Sequence, residues 1–476
     1  MRSSHLTILL IAAVTLIVAT PRRVVPLASR ELTMAVWGMP FEDLLFRDRY
    51  ARGFEELHPG WRVRYQRFVS AGLIPKYQSW HFARRGADVL RLPITNYHAM
   101  VELGLIEPLD RFINDPEVGL SSEERADFFP HVYSLLDVDG SVHALPSDNA
   151  QMGLFYHRDV FDAYNAAHPN EPISYPDSSW TWDDLRRVAR LMTERSGDGR
   201  VVRHGVVFDL WAWPYLAFLR QAGGAIWDET GTTCLIDSPE GVEAMELVKE
   251  LASSTAPIRS LETAEPAVGP VQLFMQGRAA ILLDGCWRVP SIDKEMPGLN
   301  YAVAPLPRHR QRAVVSGAVL WAINAHSEHK EQAWAMIKWM TSREGSLLYW
   351  DALRVAPPAR VSVLTDPAFR ATSGLTDDDG RVWVPPLKPE DFDRKAAWLL
   401  ATITPEGSGP GSSGDIPGFV PVGPYQQELE SQIARAMVQV VRGEKAPTDA
   451  VRDAARSVHD TIDRDRRAKG LAAITR

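Results

Sequence analysis

The residue with the clearest capacity for binding chemistry is a tryptophan at the end of a short apolar segment. Residues 273–287 predict the end of a helix at Gly277 and a strand over residues 279–283. Gly285 then allows a sharp turn that presents Trp287. A short apolar run between turn residues is typical of a strand in a parallel sheet covered by helices, and such sheets bind ligands outside the carboxyl ends of their strands. Trp287 is therefore a candidate ligand contact; the alternative is a core tryptophan that covers the strand end.

Three further tryptophans follow the ends of predicted strands. Trp37 precedes Gly38 after the first strand, and Trp211 and Trp213 begin a helix after a later one. A tryptophan offers a large apolar face and one N–H donor, which suits a binding surface. Other tryptophans are expected to be structural because they lie at helix starts or on an apolar helical face. These are Trp180, Trp182, Trp334 and Trp339.

Motifs for catalysis or metal binding are missing. The sequence has no G-x-S-x-G nucleophile elbow, no P-loop and no H-E-x-x-H. His326 and His329 have the spacing of metal ligands on a helix, but they flank a helix start and are expected to be solvated. Residues 377–380 lack the ligand alternation and the distal glutamate of a calcium loop. The sequence therefore predicts no catalytic residue, no metal site and no cofactor.

Secondary-structure patterns indicate that an α/β fold positions these residues. Strand-like and helix-like segments alternate from residue 31 onward, which favours βαβ units in a mixed or parallel sheet. A hairpin is predicted at Asp139-Gly140, and Thr181 is predicted to cap a helix. The predicted strands are 32–37, 62–68, 87–92, 152–156, 205–208, 279–283, 301–305 and 314–323, and the predicted helices include 41–58, 97–103, 330–340 and the end of the chain from residue 425.

Length and composition limit the class of protein. A chain of 476 residues is too long for one ordinary domain, and its 45% hydrophobic and 24% charged residues are typical of a globular protein. The net charge of −8 argues against a nucleic-acid partner. Cys234 and Cys286 are the only cysteines. They could pair in an oxidising compartment or remain two separate buried thiols, and the sequence favours the second.

The N-terminal segment, residues 1–30, predicts export. An apolar run over residues 6–19 lies between basic residues and matches a secretory signal better than a full membrane span. The cleavage motif at residues 26–28 is only passable, so a retained membrane anchor is the alternative. No cysteine lies near it, which excludes a lipoprotein anchor. We expect a periplasmic or extracellular monomer, tethered to the outer face of the cytoplasmic membrane if the segment is retained.

An ordered series of motifs resembles the extracellular solute-binding proteins of ABC importers, in particular the carbohydrate-binding, maltose-binding-protein-like family. The similarity spans residues 32–461. Each motif is weak alone, but the ordered set is specific. The motifs lie at residues 87–92, 103–110, 139–146, 154–161, 180–185, 274–287, 333–342 and 443–450.

The resemblance implies a two-lobed periplasmic-binding-protein fold with a hinge and a central ligand cleft. Residues 31–147 with 308–345 are expected to form lobe 1, and residues 148–307 with 346–476 lobe 2. It further implies a protein that captures a sugar or oligosaccharide and delivers it to an ABC permease, with no chemistry of its own. Membrane association would come only through the N-terminal segment or the permease. The alternatives are a membrane-tethered sugar-sensing receptor domain and a carbohydrate-active enzyme, which would need two carboxylates facing across the cleft.

The resemblance also extends the set of candidate ligand contacts. A sugar needs aromatic faces for its apolar side and planar polar groups for its hydroxyls. Ser316-Gly317 stands where the family usually has a Gly-Gly pair, so a backbone contact there is less certain. For each polar candidate the alternative is a turn or cap residue. The candidates are Trp37, Thr95, Asn96, Asp148, Asn149, Gln151, Trp211, Trp213, Trp287, Ser316, Gly317 and Arg354.

Overall fold

The computed structural model describes residues 30–38, 40–68, 73–229, 231–255, 268–399 and 416–471. The predicted signal or anchor lies outside these ranges except for its last residue. Within them, no helix is both long enough and apolar enough to span a membrane. The described chain forms two lobes, each built on its own sheet.

The first sheet has five strands and combines parallel and antiparallel pairing. Its three strands nearest the N-terminus are parallel to one another, and the two others are joined in antiparallel pairs. Met34, Ala35 and Val36 of the strand Arg30–Trp37 are fully buried, and since consecutive side chains point to opposite faces, the sheet is covered on both faces. In spatial order the strands are Trp61–Phe68, Arg30–Trp37, Val89–Pro93, Val319–Ile323 and Ala144–Pro146.

The second sheet has seven strands and is also mixed. The apolar strand Ala279–Gly285 is parallel to Val201–Phe208 on one side and antiparallel to Ala150–His157 on the other. The sheet around Trp287 is therefore mixed, although the buried run alone is typical of a parallel sheet. The remaining strands are Glu194–Arg195, Tyr301–Ala304, Ala313–Gly317 and Ile416–Phe419.

Helices cover both sheets. In the first lobe they are Pro40–Glu42, Leu44–Tyr50, Ala51–Leu57, Leu73–Phe82, Ile94–Asn96, Tyr97–Glu102, Asp110–Ile113, Ser122–Ala126, Pro130–Tyr133, Ser134–Leu136, Lys330–Met340, Arg343–Leu353 and Val361–Leu364. In the second lobe they are Arg158–Ala167, Trp182–Leu191, Ala212–Gln221, Pro239–Thr255, Pro270–Met275, Arg288–Glu295, Pro389–Lys395, Gln426–Val441 and Pro447–Ala468. Two small hairpins, Asp137–Val138 with Ser141–Val142 and Leu375–Thr376 with Val382–Val384, and the short helix Pro367–Arg370 complete the described elements.

Local signals in the sequence explain several of these boundaries. Asp139 and Gly140 adopt positive φ angles of 54° and 83°, which closes the predicted hairpin. The Thr181 side chain accepts a hydrogen bond from the backbone of Asp184, whose carboxylate bonds back to Thr181 in a capping box. The predicted helix over residues 41–58 is instead three consecutive pieces with 3-10, π and α geometry.

The connection between the two sheets is where the sequence pattern misleads. Residues 314–323 predict one strand, but the chain forms two strands separated by Ala318, one in each sheet. The helix Arg343–Leu353 continues to pack on the first lobe, where Tyr50 donates a hydrogen bond to the carbonyl of Gly345. The predicted lobe boundaries at residues 308 and 346 stay predictions. The single predicted strand was wrong because apolar periodicity does not reveal which sheet a strand joins.

The crossing segments form the hinge region and are tied to one another by hydrogen bonds. Asp148 accepts a hydrogen bond at 2.9 Å from the backbone N–H of Val319. The Ser316 hydroxyl donates to the Asn149 side chain at 2.5 Å. A third segment joins them, since the backbone N–H of Asn149 donates to the carbonyl of Pro357. Backbone and side chains thus hold three separate stretches of sequence together at the crossing.

The cysteines and the structural tryptophans lie in these cores. Cys234 and Cys286 are both buried and unpaired, in accord with the interpretation as separate thiols. The tryptophans predicted to be structural are Trp180, Trp182 and Trp334, which are buried, and Trp339, which is partly buried against the core.

Candidate ligand-binding site

A cavity of about 510 Å³ lies between the lobes, next to the crossing segments. This volume falls within the range typical of small-molecule sites. Its lining includes aromatic side chains from both lobes and several charged ones. The lining residues are Trp37, Gly38, Phe41, Glu42, Arg91, Pro93, Ile94, Thr95, Asp148, Ala150, Trp211, Trp213, Trp287, Arg288, Ser291, Gly317, Ala318, Val319, Tyr349, Val355, Ala356 and Glu430.

The second-lobe wall of the cavity is a cluster of three tryptophans in mutual contact. The rings of Trp211 and Trp213 are stacked, with centroids 4.8 Å apart and planes inclined by 22°. Trp287 meets both rings edge-on, at 6.1 Å from Trp211 and 5.9 Å from Trp213. Such offset-stacked and edge-to-face arrangements are the favoured ones for aromatic pairs. Each ring is therefore held in place by the other two.

Two glycines make room for this cluster. A Cβ atom at Gly285 would lie 2.1 Å from the ring of Trp287, so only glycine allows the ring to fold back over the strand end. A Cβ atom at Gly317 would lie 2.4 Å from the ring of Trp213. Gly285 is thus required for close approach of a ring, not for a positive φ angle.

An ion pair lies beside Trp287, between Asp284 of the preceding strand and Arg288 of the following helix. Trp287 is the residue before the helix Arg288–Glu295. The guanidinium of Arg288 donates to the carboxylate of Asp284 at 2.7 Å. Burial raises the pKa of Asp284, while the neighbouring Arg288 lowers it. The pair fixes the start of the helix, and Arg288 lines the cavity.

The first-lobe wall presents one tryptophan that rests on a buried ion pair. The guanidinium of Arg91 lies 5.1 Å from the ring centre of Trp37 and donates to its backbone carbonyl at 2.7 Å. Arg91 also pairs with Glu42 at 3.0 Å, and only 3% of the Arg91 side chain is exposed. A cation over a tryptophan face is attracted by the ring, so this pair orients Trp37 from behind. Gly38 is needed here because its Cβ would lie 2.3 Å from Glu42.

The floor of the cavity contains a buried carboxylate at the crossing. Asp148 is 1% exposed and accepts hydrogen bonds from the N–H of Val319 and from the hydroxyl of Tyr349, each at 2.9 Å. Burial raises the pKa of Asp148 to about 6, and the nearby Arg91 opposes part of this rise. Asp148 therefore links the hinge to the ion pair behind Trp37.

A second carboxylate, from the C-terminal part of the chain, lies next to the tryptophan cluster. Glu430 belongs to the helix Gln426–Val441 and lines the cavity. It accepts hydrogen bonds from the side chains of Gln426 and Trp213. Burial raises the pKa of Glu430 above its ordinary value.

Seven of the twelve predicted contacts line the cavity. The hinge residue Asp148 and the tryptophans of both walls are among them, so the aromatic part of the prediction converges on one place. The seven are Trp37, Thr95, Asp148, Trp211, Trp213, Trp287 and Gly317.

The structure places the other five away from the lining. Asn149, Gln151 and Ser316 are fully buried in the crossing segments, where Asn149 and Ser316 bond to each other. Asn96 is buried and accepts a hydrogen bond from Gln427 of the second lobe at 2.7 Å. The polar groups of Asn96, Asn149 and Ser316 are therefore used within the protein.

Arg354 is the fifth and has a structural role. It ends the helix Arg343–Leu353 in the left-handed conformation, with φ of 51°. Its guanidinium is buried, lies 3.5 Å from the carboxylate of Asp293 and donates to the carbonyl of Pro385 at 2.6 Å. These partners turn the side chain away from the cavity lining.

Sequence reasoning missed several charged or polar lining residues. Arg91 had a usable signal, since an arginine inside an otherwise apolar strand must be paired when the strand is buried. Glu430 lies on an ordinary amphipathic helix and gives no local signal. The missed residues are Glu42, Arg91, Arg288, Ser291, Tyr349 and Glu430.

The lining therefore combines stacking faces, hydrogen-bonding groups and buried charges, which is an arrangement for holding a polar solute with apolar faces. Across the described ranges, no group of three or more histidine, cysteine, aspartate or glutamate side chains is placed to hold a metal ion.

Comparison with known families identifies the class of protein to which this chain belongs. The sequence profile of the bacterial extracellular solute-binding proteins matches residues 39–346, more than half of the chain. The chain belongs to this family. The matched residues include the three tryptophans of the second-lobe wall and Trp287's strand, whereas Trp37 and Glu430 lie outside the match.

Individual solute-binding proteins are similar at lower identity. A maltotriose-binding protein of Pyrococcus abyssi (strain GE5 / Orsay) is 24% identical over 248 residues, which cover 51% of this chain and 48% of that protein. The match therefore spans about half the length of that relative. It supports the family but leaves the solute open.

Solved structures share the fold of this solute-binding protein. An ABC substrate-binding protein from Listeria monocytogenes, in complex with cycloalternan, superposes with a TM-score of 0.72 at 19% identity and covers 93% of this chain and 100% of its own. The maltose/maltodextrin-binding domain from Bdellovibrio bacteriovorus, bound to maltotriose, gives a TM-score of 0.66 at 17% identity and covers 91% of this chain and 99% of its own. The two-lobed solute-binding architecture predicted from the sequence is confirmed.

Proposed function

We propose that this protein captures a sugar or an oligosaccharide in the cavity between its lobes and delivers it to an ABC permease. The observation that carries the proposal is the cluster of Trp211, Trp213 and Trp287 on one wall of the cavity, with Trp37 on the other. Faces of this kind suit the apolar face of a pyranose ring.

Polar groups around these rings supply what a sugar hydroxyl needs. Thr95 and Ser291 offer hydroxyls, and Asp148 and Glu430 offer carboxylate oxygens. The indole N–H of Trp37 is buried and lacks a hydrogen-bond partner within the described part of the chain, so it is a donor that a bound sugar would satisfy. A site with donors and acceptors around aromatic faces binds sugars in preference to purely apolar solutes.

The relatives support the same class of solute. The Pyrococcus protein is named for maltotriose, and the two structures hold cycloalternan and maltotriose. The sequence identities of 17–24% between this chain and these proteins are too low to identify the sugar that is bound here. We therefore propose the class only.

Binding without catalysis completes the proposal. The family is one of extracellular binding proteins, so the mature protein would act outside the cytoplasmic membrane. We further propose that it acts as a monomer. Closure of the lobes at the crossing segments would sequester the solute. A bound solute shifts the population toward the conformation that it binds more tightly, here the closed form. The permease would then recognise this closed form.

Thermal unfolding with and without saccharides tests this proposal. Glucose, maltose, maltotriose, cellotriose and N-acetylchitotriose would each be added to the protein, with amino acids and glycerol phosphate as competing solute classes. A sugar present at 100 times its Kd should stabilise the protein by about 2.7 kcal/mol and raise Tm. Stabilisation by a non-sugar solute, with none by any saccharide, would contradict the proposal.

A second measurement separates binding from turnover. The bound saccharide would be recovered after prolonged incubation and examined by chromatography. Unchanged saccharide is expected, and release of a shorter product would show an enzyme instead.

A further inference from the structure

Of the charged residues that line the cavity, Glu430 alone has no oppositely charged partner among the described residues. On the first-lobe wall, Glu42 pairs with Arg91 at 3.0 Å, and Asp148 is close enough to Arg91 for that cation to lower its pKa. On the second-lobe wall, Arg288 is paired with Asp284. Glu430 is the remaining charged residue of the lining, and it forms no ion pair with any residue that the structure describes.

Neutral partners hold Glu430 in place. The Gln426 side chain donates a hydrogen bond at 3.1 Å, and the Trp213 side chain donates another. Burial disfavours the ionised carboxylate and raises the pKa of Glu430. Two neutral hydrogen bonds compensate a buried carboxylate less well than a cation does.

The rings beside Glu430 also favour a cation. Trp213, which donates to Glu430, is stacked on Trp211 with centroids 4.8 Å apart. A tryptophan face carries negative electrostatic potential and attracts ammonium groups within about 6 Å of its centre. In the described chain, no lysine or arginine side chain lies over these two rings, whereas Arg91 already occupies the space behind Trp37.

From these contacts we propose that the solute is an amino sugar, bound with its protonated amino group beside Glu430 and the face of the Trp211 and Trp213 pair. This inference rests on the proposed function, since it specifies which class of sugar the same cavity takes. An ammonium supplies the charge that Glu430 lacks, and its N–H groups donate to the carboxylate oxygens that the two neutral donors leave open. The pyranose ring then faces Trp287.

Matched sugars that differ only at one carbon test the inference. Isothermal titration would use glucosamine, glucose and N-acetylglucosamine as monosaccharides, and the corresponding β-1,4-linked trisaccharides. At pH 6.5 the amino sugar should bind at least tenfold more tightly than its hydroxyl and N-acetyl counterparts. The N-acetyl compound has the same ring and a larger substituent but no charge, so it separates charge from size.

Two substitutions on one helix complete the test. Glu430→Gln keeps the shape and a carbonyl oxygen for the two donors, and it should abolish the tenfold preference, so that the amino sugar and its neutral counterparts bind this variant with affinities within threefold of one another. Glu428→Gln removes a charge from the same helix at a position that lines a separate surface groove, and the preference should persist. Thermal unfolding would show that both variants are folded.

The outcomes distinguish this inference from the proposed function. If neutral saccharides, including maltotriose, bind and the amino sugars bind no better, the amino-sugar inference is overturned and the proposed function stands. If Glu430→Gln retains the preference, the assignment to Glu430 is overturned. If no saccharide of either kind binds, both fail.

Discussion

The two walls of the cavity present the same ring chemistry on different supports. In the second lobe, three tryptophans hold one another, and two glycines clear the space for their rings. In the first lobe, Trp37 stands alone on the guanidinium of Arg91, which is in turn paired with Glu42 and lies near Asp148. One wall is therefore fixed by packing and the other by electrostatics.

This difference determines how each wall responds to change. Aromatic packing depends on shape and is largely indifferent to pH and to salt. A buried ion pair depends on every member, because loss of one charge leaves the other unpaired in a medium that solvates it poorly. Substitutions in the second lobe should alter affinity first, and those in the first lobe should alter stability first.

The largest expected effect is on the aromatic wall. Trp287→Ala removes the ring that meets both Trp211 and Trp213 and should weaken saccharide binding more than 100-fold, or about 3 kcal/mol, as measured by titration calorimetry. The fold should persist, because Trp287 is only partly buried. Trp339→Ala is the control: it removes a partly buried tryptophan that packs against Tyr50 and is not part of the lining, and it should keep full affinity. Equal affinities of Trp287→Ala and wild type would disprove the site assignment.

The electrostatic wall should show its largest effect in stability. Glu42→Gln leaves Arg91 buried without its carboxylate partner and should lower the free energy of unfolding by about 3 kcal/mol, measured by urea denaturation. Glu31→Gln is a matched control, since Glu31 pairs with Arg64 at the surface and both side chains are about half exposed. It should change stability by less than about 0.5 kcal/mol. Similar losses in the two variants would remove the contrast between the walls.

The pH dependence of stability tests the hinge carboxylate. Because the folded-state pKa of Asp148 is about 6 against an ordinary 3.8, the folded protein holds this proton more tightly than the unfolded chain. The resulting stability is fully present below about pH 4 and is lost as pH rises to about 6. Asp148→Asn has no such proton, so its unfolding free energy relative to wild type should rise by about 2 to 3 kcal/mol between pH 4 and 6.5. Parallel pH profiles of the two proteins would contradict this.

The smallest expected effect concerns space behind the tryptophans. Gly317→Ala places a methyl group against the ring of Trp213 and should weaken binding about tenfold, or about 1.4 kcal/mol, through displacement of that ring. Gly53→Ala crowds a tryptophan in the same way, since its Cβ would lie 2.7 Å from Trp339, but outside the cavity lining. It should leave affinity unchanged. A loss of affinity in both variants would point to general destabilisation instead.

Local patterns predicted many of the elements and singled out the tryptophans that line the cavity. The apolar run before Trp287 and the punctuation by Gly277 and Gly285 predicted a strand that the structure places at Ala279–Gly285. Trp211, Trp213 and Trp287 lie together because the parallel strands Val201–Phe208 and Ala279–Gly285 end at a common edge of the second sheet. Trp37 follows a strand of the first sheet and lines the same cavity from the other lobe.

Contacts between distant segments were not predictable in this way. Asn149 and Ser316 are 167 positions apart, and nothing local shows that they satisfy each other at the crossing instead of a ligand. Glu430 reaches the cluster from a helix more than 200 positions after Trp213. The switch of sheet at Ala318 was missed for the same reason, since the segments on either side of it are both rich in apolar residues.

Two contacts join the lobes, and their strength bears on how fast a bound solute can leave. The Gln427 side chain of the second lobe donates to Asn96 of the first, and Lys469 lies 3.9 Å from Glu102 nearby. Both contacts must break before the lobes separate there. A neutral hydrogen bond contributes about 1 kcal/mol and an exposed ion pair contributes less, so together they slow opening only about fivefold to tenfold. The residence time of a bound solute is therefore governed by its own contacts with the two walls, and the protein can release it promptly once those contacts are lost.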